Sequence, residues 1–94
     1  MNYEDYNDEV RNLIDASVEE AVELVECMDE DSPEEEVEER TRAQYRAYIA
    51  RTAVDCFKRA LDPEDYDQVK LPDVLIMAIV ARVTDSVAFR ARVL

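Results

Sequence analysis

With histidine absent, the side chains of this chain best placed to do chemistry are its carboxylates, two thiols and a set of arginines. Without imidazole, the commonest general base and the commonest metal ligand at neutral pH are missing. Cys27 or Cys56 would serve as a nucleophile only beside a basic partner at an exposed site. Both fall on expected helices and read as small core or near-core residues of a reducing compartment, too few and too far apart for a disulfide framework. Paired carboxylates do acid–base work only where burial splits their pKa values, and here they fall on faces expected to be solvated. The run Asp29-Glu30-Asp31-Ser32-Pro33-Glu34 is acid-rich, but a calcium loop needs glycine at its sixth position and a flexible backbone. The expectation is no catalytic residue, no metal site and no cofactor: not an enzyme.

The charge itself is the distinctive chemistry. The chain carries 24 acidic and 11 basic side chains, net −13. Residues 1–39 hold 17 acids against 1 base, net −16, and residues 40–94 hold 7 acids against 10 bases, net +3. The acidic half repels nucleic acid and anionic lipid alike, so direct binding to either is excluded there. Arg40, Arg51 and Lys58 share one side of an expected helix and are read as pairing with acids of the first helix or as solvated. The longest apolar run, Val74 to Ala81, is far below the ~18–20 residues that span a bilayer. No basic-apolar-small signal sequence opens the chain, and a cytoplasmic location is expected.

Ninety-four residues make a single domain with one modest core. There is no glycine, where average usage of about 7% gives roughly six or seven. Tight hairpins and phosphate-cradling loops are thereby disfavoured and helices are left. From Tyr3 to Met28 the apolar set Tyr3, Tyr6, Val10, Leu13, Ile14, Ser17, Val18, Ala21, Leu24, Val25 and Met28 keeps a helical period. Opposite it, Asp8, Asp15, Glu19, Glu23, Glu26 and Glu30 are expected to form an acidic ridge about 37 Å long. Asp29 to Asp31 reads as a short connection. Ser32-Pro33-Glu34-Glu35 is a capping box with proline at the first helical position, opening a second helix to Leu61. Its apolar face runs through Val37, Thr41, Tyr45, Tyr48, Ile49, Thr52, Ala53, Cys56 and Ala60, with the two tyrosines read as core. Asp62 caps a short helical turn near residues 63–66. Pro72 opens a last helix, apolar almost all round from Val74 to Val83, which places it at the centre of the bundle or at an oligomer interface. The expected fold is all-α, a small bundle of three main helices at about 3–28, 33–61 and 72–93 plus that short turn.

The acidic ridge admits two readings. One is solubility alone, in a homo-oligomer built through the C-terminal helix. The other is mimicry: carboxylates at three- and four-residue steps on a helix form rows about 5–6 Å apart, comparable to the phosphates along one strand of a nucleic acid. On that reading Asp15, Glu19, Glu23, Glu26, Glu30, Glu34 and Glu35 occupy a basic, nucleic-acid-binding surface of a partner protein, and a homodimer through the last helix is a further option. In size, acidity and helicity the chain resembles the small anti-CRISPR and anti-restriction inhibitors of phages and plasmids, a likeness of composition. Asp31-Ser32-Pro33-Glu34-Glu35-Glu36-Val37 is similar to the Asp-Ser-Pro-x-Gly-Ile-Val segment of the acidic helical immunity proteins that inhibit nuclease toxins. It covers seven residues, lacks that family's glycine and preceding Tyr-Tyr-Pro, and carries no binding residue across.

Overall fold

Asn7 decides where the first long helix begins. Its Oδ1 accepts the Val10 backbone N–H at 2.9 Å, and its carbonyl accepts that of Arg11 at 3.0 Å. These are the two bonds of an N-cap, in which the side chain satisfies an otherwise orphan donor. The computed structural model describes residues 3–31 and 42–85, without the side chains of 28–31 and 42. Helix α1 spans Asp8–Asp31, and a separate 3-10 turn, Tyr3–Asp5, precedes it. The helix expected over 3–28 is thus corrected at both ends. At its start, the Asn7 side chain competes for the backbone amides. At its end, Asp29 to Asp31 continue the helix instead of connecting, since neither glycine nor proline interrupts it there. The capping box at Ser32 to Glu35 lies outside the described residues, as does the expected helix up to residue 41.

Helix α2 spans Arg42–Leu61 and α3 spans Asp73–Asp85. Between them Asp62 behaves as expected of a cap: its Oδ1 accepts the backbone N–H groups of Glu64 at 3.3 Å and Asp65 at 3.2 Å. The helical turn, however, is a 3-10 turn at Tyr66–Gln68, not at 63–66, where residues 63–65 only bend. Arg59 fixes that shift, with its guanidinium 4.5 Å from the Tyr66 ring centroid and its Nη2 donating to the Tyr66 hydroxyl at 3.1 Å. The Pro72 carbonyl then starts α3 by accepting from Leu75 and Ile76. Residues beyond Asp85, and with them the last part of the helix expected over 72–93, lie outside the described residues. Among the described residues there is no strand.

The core joins Ile14, Val18, Ala21, Val22 and Val25 of α1 to Ile49, Ala50, Ala53 and Phe57 of α2 and Ile79 and Val83 of α3. Each buried Ile, Val or Phe contributes on the order of 1.5–3 kcal/mol. The α2 face differs from the expected one. Ala50 and Phe57 are buried, whereas Tyr48 is 45% exposed. Helix α2 packs against both α1 and α3, which rotates its buried arc away from Tyr48 and toward Phe57. Tyr45 is half-buried and packs on the core as expected.

Helix α3 is not the centre of the bundle. Nine of its 13 residues are apolar, yet only Ala78, Ile79 and Val83 are buried. Val74 is 44% exposed, Met77 68% and Val80 37%. A helix packed on one side of two others can bury only part of its circumference, so an apolar surface all round leaves some of it in solvent.

Candidate protein-binding surface

The outer face of α1 is acidic, but over a shorter length than expected. Asp8 forms an ion pair with Arg11 one turn on, which cancels the first charge of the ridge. Asp15 is paired across to another helix and only about one-third exposed. Its Oδ1 accepts the Arg82 Nε–H at 2.8 Å, and its Oδ2 accepts the Tyr3 hydroxyl proton at 2.6 Å. The Arg82 guanidinium also lies over the Tyr3 ring, 4.5 Å from its centroid. At 100° per residue Asp15 lies about 80° from the middle of the buried face, on the same side as Val22. That flank is where α3 packs, so Asp15 is half-buried between elements instead of facing solvent.

Glu19, Glu23 and Glu26 are exposed, as is Glu20 beside them. At 1.5 Å rise per residue they cover about 10 Å of the helix, against the 37 Å expected. From Ala16 to Cys27 the helix carries no basic residue, so this segment presents one sign of charge. Glu30 belongs to α1 but its side chain lies outside the described residues, as do Glu34 and Glu35 entirely. The structure therefore brings together three of the seven residues proposed for the ridge and assigns a fourth, Asp15, to the fold.

The two thiols divide in a way the sequence did not separate. Cys56 is buried, and burial, with the nearby Glu20 carboxylate adding to it, pushes its pKa up from 9.0 to about 11. Burial and a raised pKa both disfavour the thiolate that nucleophilic attack requires. Cys27 is exposed on α1, not near-core as expected. Among the described residues, no three side chains of the metal-ligating types converge on one point. No helix there is long and apolar enough to cross a membrane.

Sequence reasoning also missed the relief around α3. An open groove of about 400 Å³ runs along one flank, with Tyr3, Glu4, Val74 and Met77 in its walls. A second, of about 410 Å³, lies on the other flank beside Arg46, Ile76 and Val80. Met77 and Ala81 form the crest between them and line both. The signal was present in the run Val74 to Val83, which holds more apolar surface than a peripheral helix can bury.

No protein-family model matches the chain, and no curated protein or solved structure matches it. Surface chemistry is what bears on function.

Proposed function

We propose that the protein is a non-catalytic binding module whose α1 face docks on a basic, nucleic-acid-handling surface of another protein and keeps nucleic acid from it, in the manner of an anti-CRISPR, anti-restriction or nuclease inhibitor. The observation that supports this reading is the exposure of Glu19, Glu20, Glu23 and Glu26 on one rigid helix with no basic residue among them. Duplex DNA carries one charge per ~1.7 Å of axis. Carboxylates at i, i+3 and i+4 present a similar one-signed array to a channel built for phosphates, and such association is fast and weakened by salt. Asp15 has no part in this docking, because its charge is spent on Arg82.

The experiment is an affinity capture from host lysate with the wild-type chain and with the triple variant Glu19→Lys, Glu23→Lys, Glu26→Lys. A nucleic-acid-binding partner retained by the wild type at low salt and lost by the variant supports the reading. Retention by both with the same salt dependence would exclude the acidic face as the binding surface.

A further inference from the structure

The exposed face of α3 is a strip with an apolar crest and two edges of opposite charge. Met77 and Ala81 make the crest, with Val74 and Val80 on its two slopes; Val74, Met77 and Val80 are 44%, 68% and 37% exposed. Exposed Glu4 stands in the groove on one side and exposed Arg46 in the groove on the other. We propose that a second copy of this chain covers this strip, the two α3 helices lying parallel about a two-fold axis that runs along them.

The pairing follows from symmetry and charge. An isologous interface sets the same patch against itself. If the two-fold axis ran across the helices, they would be antiparallel and each edge would meet its own kind, Glu4 against Glu4 and Arg46 against Arg46. With the axis along the helices, the Glu4 edge of one copy meets the Arg46 edge of the other, while Met77 meets Met77 at the centre. A strip that is acidic on one side and basic on the other is in this way complementary to its own two-fold mate. Parallel helix dipoles oppose the arrangement only weakly, because their effect is confined to the end turns and screened by salt.

The distribution of total charge favours the same partner. Two chains of net −13 repel, yet the −16 lies in residues 1–39, and of the strip only the Glu4 edge comes from that half, whereas α3 and Arg46 belong to the half that carries +3. Self-association through α3 brings the least charged part of each molecule together. Methionine at the crest suits a self-contact, since its unbranched thioether side chain repacks readily. The strip spans 13 residues, about 20 Å of a single helix, where a tight interface takes ~800 Å² a side. The pair is therefore a reversible dimer that responds to concentration. It is independent of docking by the acidic face of α1, and the two surfaces are separable by substitution.

Analytical ultracentrifugation of the purified chain over a concentration range tests this. The wild type is expected to shift from one chain to two, and Met77→Glu to remain a single chain with unchanged helical circular dichroism, since Met77 projects into solvent. Arg46→Glu is expected to weaken association by about tenfold at low salt, and Glu4→Arg together with Arg46→Glu to restore it. Ala81→Cys, on the crest, in a Cys27→Ser background reports the direction of the helices: parallel copies bring residue 81 to its mate and cross-link under mild oxidation, and antiparallel copies set it against residue 77 instead. A chain that stays single at every concentration, assembles beyond two, or associates unchanged with Met77→Glu overturns the proposal. So does the lack of a cross-link at residue 81. The Glu19, Glu23, Glu26 reversal is expected to leave self-association in place, so failure of either reading is visible without the other.

Discussion

Arg82 reaches 67 positions back along the chain to bond Asp15, Nε to Oδ1 at 2.8 Å, and so joins α3 to α1 by a charge-assisted contact. Both side chains are about one-third exposed, at 32% and 36%, so solvent screening trims what such a bond gives when buried. Asp15→Ala and Arg82→Ala are each expected to cost about 1–2 kcal/mol. A double-mutant cycle by urea unfolding is expected to return a coupling of about 1 kcal/mol. A coupling near zero would mean that the contact is not made in solution. Asp15→Asn is further expected to leave partner capture by the acidic face unchanged, which separates a residue of the fold from a residue of the surface.

The two cysteines are expected to react with a thiol reagent at very different rates. Cys27 is exposed and modifies at once, whereas Cys56 is buried and held protonated by that burial. Mass spectrometry during labelling in native buffer is expected to show one fast modification and a second that follows unfolding. Two fast modifications would contradict the burial of Cys56.

Alkaline pH is expected to destabilise the fold. The Tyr3 pKa is raised above 10.0, first by the hydrogen bond its hydroxyl gives Asp15 and then by burial. That of Cys56 is raised from 9.0 to about 11 by burial and then by Glu20. In both cases the folded pKa lies above the unfolded one, so the contribution is complete below the unfolded value and is lost as pH rises through the folded value. Thermal melts are expected to show no loss from these two groups up to about pH 9 and a declining Tm above it. Tyr3→Phe removes the tyrosine share of that decline. An unchanged alkaline slope in Tyr3→Phe would show that the hydroxyl is not bonded in the folded state.

Ile49 and Met77 are expected to behave oppositely on truncation. Ile49 is fully buried between helices and Met77 is mostly exposed. Ile49→Ala is expected to cost about 2–5 kcal/mol, a large share of the ~5–15 kcal/mol that holds a domain together. Met77→Ala is expected to change monomer stability by less than about 0.5 kcal/mol. Urea titrations of both at low protein concentration decide the matter, and a costly Met77→Ala there would mean that the crest is packed within one chain.

The core face of α1 was readable in advance. Ile14, Ser17, Val18, Ala21 and Val25 recur at helical steps and all are buried. The start of α1 was less so, because Asn7 acts through a single side-chain bond that periodicity does not register, whereas the end of α2 at Leu61 was readable from Asp62. The rotation of α2 was hidden for another reason: Tyr48 and Phe57 fit an apolar face equally well, and only the position of the third helix decides between them. The candidate surface was legible as a sum of charge but not as a map. A carboxylate meant for a partner and one meant for an arginine 67 positions away look alike in a sequence, as Asp15 shows.

Among the described residues none sits at positive φ, and the chain has no glycine to place there. The turn from α2 to α3 is made instead with Asp62, which holds two backbone N–H groups, and with Pro63 and Pro72, whose rings limit the backbone before folding as well as after it. Replacing a glycine by alanine at a compatible site narrows the unfolded ensemble by about 0.4–1 kcal/mol, and a chain of this length ordinarily has roughly six or seven glycines. Their absence removes several kcal/mol of the disorder that folding must overcome, on the order of the whole net stability of a small domain. A core whose α3 share is only Ala78, Ile79 and Val83 is thereby opposed by a chain with unusually little freedom to lose.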